Sequence, residues 1–192
     1  IGKNSQHADL EREFCIALEK AGVDHAHIVR SLAGFIHEKK FYLISELGQM
    51  DLERYLKKKP RHFLKPDWLK SQMHGLVEAI ARLHNIGPNE ETAYHHDIKP
   101  GNIVLFWEDE EEPVFKLMDW GRAKVNPLLQ QGSPQDVPRG NRTYRPPECG
   151  REGESASSRP HGIWSLGCVF LELVVWTMKG YDELKKFRKA RL

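Results

Sequence analysis

At 192 residues the chain is long enough for one domain or a small two-lobed body. Its 29 basic and 27 acidic residues nearly cancel to a net charge of +2, a balance that gives no argument for nucleic acid as the main partner. Three widely spaced cysteines, Cys15, Cys149 and Cys168, offer neither a disulfide framework nor a CxxC zinc site, and a reducing, intracellular and cytoplasmic setting is expected. The first residue is Ile1 rather than methionine and no signal peptide opens the sequence, so a piece of a longer protein is expected.

In chain order, residues 9–21 predict a helix. Leu10, Phe14, Ala17, Leu18 and Ala21 recur at intervals of three and four, and Gly22 supplies a stop. Residues 27–29 and 41–45 predict strands around the charged turn Glu38-Lys39-Lys40. Asp51 is placed to cap a short helix over 52–56, and the lysines at 57–59 read as a solvated face. A long helix begins at Asp67 and ends before Gly87-Pro88-Asn89. Its stripe of Leu69, Met73, Leu76, Val77, Ile80 and Leu83 reads as core. Residues 103–106 and 114–118 predict two strands joined by the acidic run 108–112. That run is expected to be a solvated tip, since it lacks the alternation and glycine of a calcium loop. Lys116 reads as a strand-edge charge. Residues 122–143 are rich in Gly, Pro, Gln and Asn and predict a long loop. Residues 163–176 predict an apolar helix packed on all sides. Its longest apolar stretch, 167–176, is interrupted by Glu172 and is too short to span a bilayer. The basic tail predicts a helix whose Lys185, Lys186, Arg188, Lys189 and Arg191 face solvent.

The stretch that carries chemistry is Tyr94-His95-His96-Asp97-Ile98-Lys99-Pro100-Gly101-Asn102. An aspartate followed two residues on by lysine and five on by asparagine suits phosphoryl transfer. The carboxylate takes or orients the proton of an attacking hydroxyl, the cation faces the moving phosphate, and the amide oxygen holds a metal on the same face. A second carboxylate follows a strand-like run in Asp119-Trp120-Gly121. Turn chemistry before a strand accounts for Asp97 and Asn102 singly, but not for the combined spacing. The adjacent His95 and His96 have no further ligand at metal-binding spacing.

With Tyr144-Arg145-Pro146-Pro147-Glu148 and Trp164-Ser165-Leu166-Gly167, these motifs resemble, in order, the catalytic loop, magnesium triplet, activation-segment end and central helix of the eukaryotic protein kinases. The resemblance runs over roughly residues 10 to 178, and the lysine at 99 is of the serine/threonine type. Tyr144 through Cys149 and Trp164 through Trp176 resemble kinases of filamentous fungi in particular.

The resemblance implies an α+β, bilobal fold truncated at both ends, with a partial N-lobe and hinge over 1–48 and a mainly helical, incomplete C-lobe over 49–192. It implies ATP and Mg2+ as cofactors and a protein as substrate, while the charge balance and the short apolar stretch lead to an expectation of no nucleic acid and no membrane span. It makes Asp97 the base and Lys99 the charge neutraliser, with Asn102 and Asp119 as metal ligands. It assigns the adenine to the carbonyl of Glu46 and to Gly48, the ribose to Asp51, and the helix glutamate to Glu13, whose strand lysine would be Lys3. His95 becomes a packed, hydrogen-bonded residue, and His96 stands where many kinases carry arginine. Gly162 stands where the family opens its central helix with aspartate, a loss expected to loosen the catalytic loop. Glu148 is expected to bond an arginine late in the C-lobe. The rival is a non-catalytic, kinase-like scaffold or regulatory module. A small-molecule kinase is disfavoured by the peptide-binding elements at 144–148 and 164–167.

Overall fold

In a computed structural model of the chain, residues 5–38, 40–58, 65–86, 91–107, 112–127, 142–147, 149 and 159–191 are described. The first helix, α1, covers Ser5–Lys20 and places Phe14 and Leu18 in the core. Gly22 ends it at φ +58°. Its N–H bonds to the Glu19 carbonyl at 3.0 Å and the Val23 N–H to the Leu18 carbonyl at 2.9 Å, the paired bonds of a glycine-terminated helix. Residues 27–29, expected as a strand, instead make a single parallel bridge between Ile28 and Leu117. The antiparallel hairpin runs later, as β1 (Ser31–His37) and β2 (Lys40–Ser45), with Phe35 stacked on Tyr42 across the pair at 5.1 Å. The apolar residues at 28 and 29 were the cue for a strand, and they are buried against the body of the molecule instead.

A short strand β3 (Met50–Asp51) leads into α2 (Leu52–Lys58). The long helix α3 covers Pro66–Leu83, with a proline in its first turn where the missing N–H costs nothing. Its stripe is buried as expected except for Met73, which is half-buried, and Val77, which is exposed, and it ends at Leu83; Gly87 to Asn89 lie outside the described residues. Strand β4 (Glu91–Tyr94) precedes the 3-10 turn Pro100–Asn102, and β5 (Ile103–Phe106) and β6 (Val114–Leu117) follow. β5 is central in a three-stranded sheet ordered β3-β5-β6 and is buried along its whole length. The loop expected over 122–143 contains a strand, β7 (Lys124–Pro127), paired antiparallel to β4 with Tyr94 opposite Lys124. Four residues with a proline at the end gave no period to find.

The last helices are α4 (Arg159–Lys179) and α5 (Tyr181–Ala190). At 21 residues α4 is, by length and composition alone, long and apolar enough to cross a membrane, beyond the shorter apolar stretch marked in the sequence. Here it is a core helix. Leu166, Val169, Leu173 and Trp176 are buried, and the Trp176 indole N–H donates to the Leu56 carbonyl at 2.8 Å. It is not packed on all sides, however: Ile163, Trp164, Leu171, Val174 and Met178 are exposed. Helix α5 corrects the solvated tail, because Arg188 turns inward to Glu53 of α2 and Glu172 of α4, and Arg191 just beyond it also reaches Glu172. One hydrophobic cluster runs from Phe14 through Leu105 and Leu173 to Leu184, so the sheet β3-β5-β6 and helices α1 to α5 share a core.

Candidate active site

The loop between β4 and β5 is held from beneath by His95. Its ring is buried, with Nε2 at 3.0 Å from the Met118 carbonyl and Nδ1 accepting the Asp97 N–H at 3.4 Å. The first bond requires the Nε2 hydrogen, which fixes the tautomer and frees Nδ1 to accept. Burial pushes the His95 pKa down, while bonds to the backbone and the nearby charges of Asp97 and Asp119 push it up; burial wins. His96 follows at φ +57°, a left-handed conformation that a residue with a Cβ adopts at a cost. That turn brings Asp97 round toward Lys99 and Asn102.

Asp97 is buried at 8% exposure, yet it is surrounded by donors. Lys99 Nζ lies 2.6 Å from Asp97 Oδ2. Asn102 Nδ2 lies 3.1 Å from the same oxygen and 2.8 Å from the Asp97 backbone carbonyl. The 3-10 turn makes this possible by folding the loop so that the Asn102 N–H bonds to the Lys99 carbonyl at 2.9 Å. The Met118 N–H then bonds to the Asn102 carbonyl at 3.0 Å, setting the neighbouring Asp119 beside the same loop. Asp119 is itself at φ +68° and accepts the Gly121 N–H on Oδ1 at 3.4 Å. Trp120 stacks on Phe14 of α1 at 5.0 Å and lies 5.0 Å from the His95 ring. Asp97, Lys99 and Asn102 are therefore in direct contact, and Asp119 is tied to them through one backbone bond.

On the side of the sheet toward β2, the Glu46 carboxylate takes Lys116 Nζ on both oxygens at 3.0 Å and the Arg30 N–H on Oε1 at 2.8 Å. Gly48 sits so close to β5 that a Cβ there would fall 2.1 Å from Val104 Cγ1. Asp51 Oδ1 accepts the Arg54 N–H at 2.8 Å, which caps α2. A small cavity beside the loop is lined by Asp97, His96, His161, Tyr144, Arg145 and Ser165. The Ser165 hydroxyl reaches the Tyr144 carbonyl at 2.8 Å, fastening the 144–147 segment to α4.

The model of the protein kinase domain matches residues 2–189. The chain belongs to the protein kinase family. It is 33% identical over 170 residues to "Cyclin-dependent kinase 7" of Dictyostelium discoideum, a match covering 86% of this chain and 43% of that relative. The chain thus spans less than half the length of that kinase. The mixed α+β architecture, sheet-bearing in its N-terminal part and helical in its C-terminal part, is that of a kinase domain.

Within this kinase frame some expected residues do not meet. Glu13 is exposed and pairs with no other described residue; its neighbour Phe14 faces the centre instead. Lys3 and Glu148 lie outside the described residues. Gly162 packs at the start of α4, where a Cβ would stand 3.8 Å from His84 Nε2 and from Ile98 Cδ1, ordinary contact distance. Sequence reasoning missed Lys116 as the partner of Glu46, and Tyr144 and Ser165 as neighbours of Asp97. Lys116 alternates with Phe115 and Leu117, so its outward face was legible, but its partner is 70 residues away. As to magnesium, one carboxylate and one side-chain amide oxygen are the hard donors that this ion takes. Asn102 directs its NH2 group at Asp97, and by donor chemistry the Asn102 amide oxygen and the Asp119 carboxylate are of the kind the ion takes.

Proposed function

We propose that the chain carries the catalytic centre of a serine/threonine protein kinase, which transfers the γ-phosphoryl group of ATP to a protein hydroxyl. The observation that carries this reading is the buried Asp97 carboxylate held by Lys99 at 2.6 Å and Asn102 at 3.1 Å. In the step, the acceptor oxygen bonds to the γ-phosphorus, and the bond from that phosphorus to the β–γ bridging oxygen breaks. ADP leaves with the electron pair. The acceptor proton passes to the Asp97 carboxylate and then to solvent. Lys99, at +2 from Asp97 as in serine/threonine kinases, offsets the charge spread over the phosphoryl oxygens. Asn102 and Asp119 would hold magnesium, which supplies charge neutralisation along the phosphates when bound. Proton transfer gives only part of the acceleration; positioning and charge neutralisation give the larger part. Glu46 and Gly48 present backbone to the adenine, and Asp51 faces the ribose while capping α2. The free thiols of Cys15, Cys149 and Cys168 support a reducing, cytoplasmic compartment.

Asp97→Ala in the full natural chain is expected to lower kcat by ~10²–10⁴-fold, the range of general-base removal, with the fold retained by circular dichroism. Activity within a few-fold of the parent would remove Asp97 from the role. A kinase-like module without turnover is the second reading, favoured by the exposed Glu13. The same assay separates the two, since an inactive parent leaves nothing for the substitution to abolish.

A further inference from the structure

The segment joining β2 to β3 is fastened to the sheet by more bonds than a connector needs. The Glu46 N–H donates to the Arg30 carbonyl at 3.2 Å, and its carboxylate accepts the Arg30 N–H in return. Both carboxylate oxygens take Lys116 Nζ. Lys116 is the more buried partner, at 13% side-chain exposure against 23% for Glu46, and its ammonium lies 4.6 Å from the centre of the Phe106 ring. Two residues on, Gly48 presses against Val104 and the edge of that same ring. Gln49 closes the segment. Its N–H bonds to the Leu105 carbonyl at 3.0 Å, and its side-chain amide spans the Trp107 carbonyl and N–H at 3.4 and 3.2 Å.

The ring of Phe106 therefore bears on the segment twice, through Lys116 at Glu46 and directly at Gly48. An ion pair largely removed from water and lying over an aromatic face is worth more than a surface pair. Its position decides what it does: it fixes the backbone of residues 46 to 48 relative to β5 and β6 before any ligand arrives. A preset backbone loses less entropy on binding, so its hydrogen bonds contribute more to affinity and discriminate better.

We propose that Lys116 is a positioning residue for nucleotide base selection, acting through Glu46 on the backbone that receives the adenine edge. The inference rests on the nucleotide-site reading of Glu46 and Gly48 given above. Lys116 touches no nucleotide in this account. Its effect falls on the purine edge and not on the triphosphate, which lies toward Asn102 and Asp119.

The test is the dissociation constants of magnesium–ATP and magnesium–GTP for the full natural chain and three variants, with thermal unfolding as the fold control. The two nucleotides share their triphosphate and differ at the base edge. Lys116→Met is expected to narrow the preference for ATP about fivefold by weakening ATP while GTP stays near its starting value. Glu46→Gln, which keeps the size and an acceptor for the Arg30 N–H, is expected to do the same without risk of an unpaired buried carboxylate. Lys116→Arg is expected to retain the preference. Equal losses for both nucleotides in the Met and Gln variants would show a general fold role and overturn the proposal, as would an unchanged ratio. A parent chain that binds neither nucleotide would remove the kinase reading itself, and the proposal with it.

Discussion

Gly75, in the middle of α3, is explained by a single neighbour. A Cβ there would fall 1.9 Å from His27 Nε2. The other ring nitrogen, Nδ1, is 2.7 Å from the Phe115 carbonyl and must carry the hydrogen. Burial pushes the His27 pKa below its ordinary value, and the Phe115 bond opposes this without cancelling it, so the ring is neutral at pH 7. The ring cannot swing away from Gly75 without breaking that bond. Gly75→Ala would gain about 1 kcal/mol of helix propensity. Overpacking costs about 1–3 kcal/mol, so the expected net result is nonetheless a loss, of up to about 2 kcal/mol, measured by urea unfolding. A stabilised variant would mean that His27 is free to move. Gly48 follows the same logic against Val104, and in both cases the sequence shows a glycine but not the side chain that requires it.

At the scale of elements, Gly167 offers the opposite case. It lies mid-helix in α4 with nothing within 4 Å of the place a Cβ would take. Gly167→Ala is therefore expected to stabilise the chain by about 0.5–1 kcal/mol, and a thermal melt that fails to rise would show that the exposed face of α4 is covered at Gly167. The neighbours Ile163, Trp164, Leu171 and Val174 on that face show why the sequence misled: an apolar residue is no proof of a buried one. Elements whose period is set by one continuous interior face were legible, α3 and the pair β5 and β6 above all. The contact of Asp97 with Lys99 and Asn102 was legible for another reason, since the three fall within six residues. What was not legible depends on distant partners. β4 and β7 exist because four residues at 91–94 meet four at 124–127. Phe14 rather than Glu13 faces Trp120 because of how α1 is rotated, and residues 9–21 contain glutamates on several faces.

At the scale of the whole molecule, one carboxylate draws together pieces far apart in sequence. Glu172 of α4 is fully buried, accepting the Tyr144 hydroxyl at 3.0 Å, Arg188 Nη2 at 2.6 Å and Arg191 Nη2 at 2.5 Å. Arg188 extends the network to both oxygens of Glu53 in α2, at 2.9 and 2.6 Å. The segment beside Asp97, the core helix, α2 and the last helix are thus joined by charge-assisted bonds. Burial raises the Tyr144 pKa, and the Glu172 charge adds to the rise, so its hydroxyl stays a donor at neutral pH. Burial by itself would raise the Glu53 pKa as well, but the bonds and charge of Arg188, with help from Lys57, bring it below its ordinary value of 4.5.

A depressed carboxylate stabilises the folded chain above its unfolded pKa and loses that contribution as pH falls through the folded one. Arg188→Met leaves Glu172 with less compensation and Glu53 without its main partner. The expected cost at pH 7 is about 3–5 kcal/mol, the range for breaking a buried pair from one side. The gap between parent and variant should hold at neutral pH and shrink as pH drops below 4.5, where protonation of Glu53 removes its share in the parent too. Urea midpoints measured from pH 7 to pH 3 give both quantities. A gap that stays constant to pH 3 would mean that Arg188 stabilises the chain by packing and not by its charge on Glu53. A gap near zero at every pH would leave α5 anchored by its apolar residues, Leu184 above all, with nothing added by the Arg188 network.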